Sequence, residues 1–406
     1  MNLTSYSSNK IGTKISNIMH IALEAKRFFE SGTGFGTYSR TLVRDLADHF
    51  PQNRYFLYAP ESERNLSMAS RAHSLEVDRV VSHESVRVVF PPDKAKLYWK
   101  LIGARKALRE HQIDLYHGLT QQIPRSIRGV QIPKILTMHD LIYRRYPEFC
   151  KGENLEKLDS QLHSACTVSD KIVAVSESTK SDLVGLFGIE STKIDVIYSA
   201  CDGRYWQKAP VEKRLLVRER YRLPPKYLLY VGSMSERKNL ISTVKALAVL
   251  SEKDRIPLVV IGARTAYTAK IIEWTARNGL DKWLKFAKGV TTEDLPAIYQ
   301  GAEIFLYPSL YEGFGMPVLE AITSGVPVVT SDTSAMPEAG GPSTRLVEPR
   351  DEGDIAKAIR EISTDLELKR KMIEDGRSHA LGLRSDVVTE KMMSLYFSEI
   401  KKSRRT

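Results

Sequence analysis

The chain has 406 residues, 42% of them hydrophobic and 27% charged, with a formal net charge of +11. That composition is globular, and the length exceeds what a single core usually spans, so two domains are expected. No apolar run approaches the ~18 residues that cross a bilayer. The three cysteines, Cys150, Cys166 and Cys201, have no paired spacing and fit a reduced, cytoplasmic protein. The charge surplus suits an acidic partner, yet no zinc-finger spacing or aromatic RNP-type motif supports nucleic acid.

Residues 1–16 are rich in Ser, Asn, Lys and Thr, lack an apolar stretch and read as a disordered extension. Met19 directly precedes the first apolar run, so a chain starting there is expected to fold and work. Strands are expected near 17–23, 54–58, 85–90, 113–117, 134–138, 171–175 and 194–198, with helical patterns at 36–49 and 94–110. The charged segment 201–226, with Pro224-Pro225, reads as a hinge. Beyond it, strands are expected near 227–232, 257–262, 284–288, 303–307 and 326–330, with helices near 239–251, 266–278 and 317–324. Alternation of this kind implies α/β architecture with parallel sheets covered by helices on both faces. It occurs twice. The expectation is two Rossmann-like domains facing across a cleft, 17–208 and 209–385, followed by a helix in 386–406 that returns to the first domain and ends in a basic tail.

Parallel sheets bind ligands beyond the carboxyl ends of their strands, so the loops there are the places to look. In the stretch "YPSLYEGFGMPVLEAITSGVPVVT" (307–330), Gly313 and Gly315 allow close backbone approach, and Pro317 suits the first turn of a helix whose N-terminus favours a diphosphate. Glu320 is placed to accept hydrogen bonds from vicinal sugar hydroxyls, and Glu312 to face whatever the diphosphate carries. The competing reading is that both acids merely complement the helix dipole. Arg237 and Lys238, on the loop 233–238, can neutralise a diphosphate leaving group, or can be a solvated basic loop. Gly32, Gly34 and Gly36 are spaced G-x-G-x-G, with Glu24 to Ser31 intervening after the strand, which does not fit a dinucleotide fingerprint. His139 and Asp140 end the strand KILTM, with Asp140 able to orient the imidazole; His117 of "LYHGLT" is similarly placed. No metal-ligand spacing appears.

The segment "EGFGMPVLEA" resembles the E-x7-E signature of retaining glycosyltransferases of family 4, which have the GT-B fold. "YVGSMSERKNL" (230–240) looks like that family's phosphate-gripping segment and "TMHDL" (137–141) like its histidine loop. "EAKRFFESGTGFGTYSRTLVRDL" (24–46) is similar to its first glycine loop and helix, and 174–202 to the end of its N-terminal domain. The likeness covers about 17 to 395. It implies that Glu320 binds the ribose of a nucleotide-sugar, that Glu312 meets the transferred sugar, and that Gly34, Gly36, Gly313, Phe314 and Gly315 surround the donor. It further implies catalytic work for His139, Arg237 and Lys238, with His117 and Asp140 touching acceptor or supporting these contacts. Some members carry an additional Arg near Ser233; its absence leaves more to Arg237.

The implied activity is transfer of a hexose, with a lean to mannose from GDP-mannose, onto a lipid-linked or polysaccharide precursor. The donor, GDP- or UDP-linked, is a substrate; no cofactor and no divalent ion are expected. Rival readings are a GT-B epimerase or phosphorylase, or a scaffold that only binds nucleotide-sugar. Finally, 87–109 holds seven basic residues against one acid, Asp93, interrupted by Tyr98 and Trp99. On a helix from 94 to 109 with Leu97, Leu101, Ala104 and Leu108 inward, this is either a solvated face with Trp99 buried or a contact with an anionic membrane surface. The latter would make the protein peripheral on the inner face of the cytoplasmic membrane.

Overall fold

The computed structural model describes residues 18–30, 34–59, 74–91 and 103–405. The expected extension 1–16 and Gly32 lie outside the described residues, as does most of the basic segment, 92–102. Apolar runs such as "LLYV", "LVVI" and "IFLY" are apolar along their whole length, as strands buried on both faces must be. They form two parallel sheets. The first has strands β1 (His20–Glu24), β2 (Arg54–Tyr58), β3 (Val86–Val89), β4 (Leu115–Gly118), β5 (Lys134–Met138), β6 (Lys171–Ala174) and β7 (Ile194–Val196), in the order β3-β2-β1-β4-β5-β6-β7. The second has β8 (Leu228–Val231), β9 (Leu258–Ile261), β10 (Leu284–Ala287), β11 (Ile304–Tyr307), β12 (Val328–Ser331) and β13 (Arg345–Val347), in the order β10-β9-β8-β11-β12-β13.

Both orders reverse direction once, between β1 and β4 and between β8 and β11. A crevice opens at such a reversal because consecutive crossovers leave to opposite faces of the sheet. The loops after β8 and β11 therefore meet, bringing the segment with Arg237 and Lys238 to the one with Glu312. β13 was not expected from the sequence: it is a three-residue edge strand, half-buried at Arg345 and Leu346, and carries too short an apolar signal.

Five helices matter to the site: α1 (Gly34–His49), α2 (Glu177–Phe187), α3 (Leu240–Val249), α4 (Met316–Thr323) and α5 (Ser385–Ser403). α1 starts at Gly34, two residues before the expected boundary, so Gly34 and Gly36 form its first turn. α2 has clear ends: the Ser176 hydroxyl accepts from the Thr179 amide at 2.9 Å, and Gly188 closes it in the left-handed region. Of the expected helix 94–110, the described part is Ala104–Glu110, with Ala104 and Leu108 buried and Arg105, Lys106 and Arg109 exposed.

The chain crosses between the sheets twice, and the crossings are tied where the Cys201 amide donates to the Leu383 carbonyl at 3.1 Å. After the second crossing α5 lays Val388, Met392, Tyr396 and Ile400 into the core on one face of the first sheet. The Tyr396 ring is fully buried and its hydroxyl lies 2.6 Å from Nδ1 of His117. Tyr396→Phe deprives that buried nitrogen of its partner and is expected to cost about 1–3 kcal/mol of stability in urea unfolding; an unchanged midpoint would contradict this role.

Candidate active site

Glu312 sits between two cations. Its Oε2 is 2.7 Å from the Arg237 guanidinium, and its Oε1 is 3.9 Å from Lys238 Nζ. The same Oε1 accepts from the Tyr307 hydroxyl at 2.9 Å and from Ser309 Oγ at 3.1 Å. Burial alone would raise Glu312, but Arg237 and Lys238 outweigh it and hold the carboxyl at about 2. Burial likewise lowers Lys238, with Glu312 opposing, and its ammonium lies over the Tyr307 ring. Arg237 also donates to the Tyr311 carbonyl at 2.6 Å, pinning the loop just ahead of Glu312.

The next residues shape the floor. Gly315 has φ +116° and caps α4, its carbonyl accepting from the Val318 and Leu319 amides at 2.9 and 3.2 Å. Gly313 is required by contact with the other domain: a Cβ there would lie 1.8 Å from the His139 carbonyl oxygen. The loop bearing Glu312 and the end of β5 are therefore in backbone contact. Phe314 is buried and stacks on Tyr198 of the first crossing.

His139 Nε2 is 2.9 Å from the Leu119 carbonyl, which only accepts, so that nitrogen carries the proton. Burial lowers the ring to about 4, so it is neutral and Nδ1 is left as an acceptor for a ligand hydroxyl. Phe35 and Tyr38 of α1 hold the ring edge-on, each with centroids 4.7 Å away. Asp140 does not orient it, contrary to expectation; its Oδ1 accepts from the Ile142 amide, and burial raises its carboxyl against the opposing charge of Arg237. His117 is also corrected. It is fully buried, bonded to Tyr396 and to Thr137 Oγ1 at 2.8 Å, and burial takes it down to about 3, so it cannot reach an acceptor.

Glu320, on α4, accepts from the Tyr299 hydroxyl at 2.9 Å. Burial raises its carboxyl to about 7, against hydrogen bonds from Tyr299 and Tyr205. Gly34 is exposed at the start of α1 and Gly36 is buried within the same first turn, so both belong to the head of a helix and not to a glycine loop ahead of it. Sequence reasoning missed Tyr307, Ser309, Phe35, Tyr38 and Tyr299, aromatic or hydroxyl residues that hold the charged groups. All but Tyr299 lie within stretches already singled out. A cavity lined by Thr37, Tyr38, Thr41, Tyr198, Met316 and Met392 lies between α1, the first crossing and α5 and reaches this site at the head of α4. Among the described residues, no group of three or more His, Cys, Asp or Glu side chains could hold a metal ion.

Two facing Rossmann-like sheets with a carboxylate, two cations and a glycine-flanked helix start at the second sheet's switch point define a GT-B glycosyltransferase. Residues 34–203 match the family model "Glycosyltransferase Family 4", and residues 215–379 match "Glycosyl transferases group 1". The chain is 30% identical over 349 residues to O-antigen chain mannosyltransferase B of Escherichia coli, covering 80% of this chain and 86% of that protein. It is 26% identical to the serotype-specific mannosyltransferase WbdA of Escherichia coli, over 66% of this chain and 34% of that one. In fold it is similar to HepE of Anabaena, solved with UDP and glucose, with a TM-score of 0.74 at 17% identity over 94% of this chain and 100% of that one. The chain belongs to the family 4 glycosyltransferases.

Two outcomes test the geometry. Gly313→Ala is expected to keep the fold by circular dichroism while turnover falls at least about tenfold, because about 1.4 kcal/mol of misplacement suffices for that loss; wild-type turnover would show that the backbone contact with His139 is dispensable. For Glu320, a ligand hydroxyl that uses the carboxylate binds its ionised form. Affinity should therefore rise, by up to about tenfold per pH unit, from about pH 6 to about pH 7 and level off above. The raised value also means that the stability Glu320 lends the fold is present below its ordinary range and is lost as pH climbs through about 7. Calorimetry of nucleotide binding across pH reads this directly: Glu320→Gln should flatten the profile, and a flat wild-type profile would contradict it.

Proposed function

We propose that this glycosyltransferase is a retaining hexosyltransferase that moves mannose from GDP-mannose to a lipid-linked or O-antigen-type polysaccharide acceptor. The observation that carries this reading is the half-buried Glu312–Arg237–Lys238 cluster beside Gly313 and Gly315, with neutral His139 across the cleft. The names of the two Escherichia coli mannosyltransferases support the sugar and the polymer.

Each group has a distinct task. Arg237 and Lys238 neutralise the diphosphate as its negative charge grows, aided by the head of α4. Glu312 meets the transferred sugar, His139 Nδ1 accepts from one of its hydroxyls, and Glu320 takes the ribose hydroxyls. Gly34 and Gly36 approach the donor from the head of α1, and Phe314 completes the donor pocket. The anomeric C–O bond to the diphosphate breaks and the acceptor oxygen bonds to the same face. The acceptor's proton ends on the leaving phosphate oxygen. No protein nucleophile is involved, and with two cations at the phosphates no divalent ion or cofactor is needed.

The enzyme would work in the cytoplasm against the membrane that holds a lipid-linked acceptor. Among the described residues no helix is long and apolar enough to cross a membrane. The basic segment 94–109 supplies the anionic-surface contact, with exposed Arg105, Lys106 and Arg109 as its described part.

A thermal-shift panel of GDP- and UDP-linked sugars tests the donor. GDP-mannose is expected to stabilise by about 2.7 kcal/mol at 100 times its dissociation constant, and a UDP-sugar shifting the protein more would overturn the choice. Transfer should persist in excess EDTA; loss of turnover restored by magnesium or manganese would overturn metal independence. Glu312→Gln should lower turnover at least about a thousandfold, on the scale of losing one preorganised electrostatic group. Near-wild-type turnover would remove Glu312 from the reacting centre.

A further inference from the structure

We propose that α2 is a closure clamp: Thr179, Asp182 and the first amides of α2 are positioning groups that set the Glu312 loop only when the two domains meet. The inference rests on the reading of Glu312 as the residue facing the transferred sugar. α2 belongs to the first sheet's half of the molecule, yet its head is engaged by the second half at four points. The Glu338 carboxylate accepts from the Glu177 amide at 2.6 Å and from the Ser178 amide at 2.8 Å. Thr179 Oγ1 lies 3.1 Å from the His139 carbonyl and 3.3 Å from the Gly313 carbonyl, bridging the two domains with one hydroxyl. The Tyr311 hydroxyl donates to Asp182 Oδ2 at 2.6 Å.

These contacts are not spread at random. Tyr311 and Gly313 are the residues on either side of Glu312, so α2 grips both neighbours of the carboxylate. The contacts are also built to be strong and specific to closure. A carboxylate at a helix N-terminus meets unpaired amides and the positive end of the dipole. Asp182 is 3% exposed, and its other oxygen accepts two hydrogen bonds from Arg145, at 2.8 and 2.5 Å, so its bond to Tyr311 is charge-assisted and held in one geometry. Thr179 is fully buried. On the far side of the loop, Arg237 holds the Tyr311 carbonyl and Glu312 together. When the cleft opens, Glu338 and Asp182 regain water, while residues 311–313 lose the support of the first domain. The placement of Glu312 is thereby coupled to closure, and nucleotide binding, which belongs to the second domain, is not.

The test compares Tyr311→Phe, Asp182→Ala, Asp182→Asn and the double variant D182A/Y311F, reading donor KM, kcat, and the affinities for GDP and UDP by calorimetry. The clamp predicts that kcat falls at least tenfold in Y311F and D182A while nucleoside diphosphate affinities move less than twofold. D182N, which keeps an acceptor oxygen, should recover part of the loss. The double variant should be no slower than the slower single one, because both remove one interaction. In X-ray scattering, Glu338→Gln and D182A should enlarge the radius of gyration of the ligand-free protein. Unchanged kcat in Y311F overturns the proposal, and so does a loss of kcat matched by an equal loss of nucleotide affinity. Should D182A fail to fold, the conservative Y311F decides. An inactive Glu312→Gln with fully active Y311F sinks the clamp alone, whereas an active Glu312→Gln sinks the reading on which it rests.

Discussion

A half-buried carboxylate held between a guanidinium and an ammonium organises this molecule. Taking Glu312 out of water costs several kcal/mol, which the adjacent cations and two hydroxyl donors must offset. That requirement explains the neighbourhood: Tyr307 and Ser309 saturate one carboxylate oxygen, Arg237 holds the other, and Lys238 rests on an aromatic face. The arrangement is poised, because the cations that stabilise Glu312 in the free protein are also the groups suited to a diphosphate. A dianionic ligand would compete with Glu312 for them and release its carboxylate towards the sugar. On the proposed function, the cluster would link charge neutralisation and sugar recognition in one exchange.

The fold supplies this cluster through topology. Because β8 and β11 flank the strand-order reversal, their loops meet at one crevice, joining Arg237 to Tyr311 74 residues away, and the first sheet presents its own reversal opposite. The second half of the site is held less by charge than by exclusion. His139 is neutral because it is buried, and its single free nitrogen follows from the Leu119 carbonyl occupying the other. The Gly313–His139 backbone contact sets how closely the halves approach. A larger residue at 313 would be a wedge.

Much of the architecture was legible in the sequence, for physical reasons. Strands buried on both faces must be largely apolar, and twelve strands were readable; β13 escaped because an edge strand of three residues, two of them half-buried, needs no such run. Glu312, Arg237 and Lys238 stood out in the sequence because they lie on strand-end loops, and Glu320 because it lies on the helix that follows one of them. What could not be read depends on distant partners. His117 and His139 both follow the same strand-end logic, but only the tertiary fold brings Tyr396, 279 residues away, over one of them. The role given to Asp140 failed because a nearby backbone carbonyl oriented the imidazole first. The contacts of α2 with Tyr311 and Glu338 join residues 129 and 161 positions apart, and no local pattern encodes them.

On the proposed function, Glu312 holds in reserve the cations that a diphosphate would take. Titrating GDP and UDP into the wild-type protein and into Glu312→Gln tests it most directly. Removing the competing charge should leave nucleoside diphosphate affinity equal or tighter, and should leave the corresponding monophosphates unaffected. A tenfold weakening of diphosphate binding in Glu312→Gln would mean that Glu312 supports the phosphate site instead of competing for it, and would contradict the account.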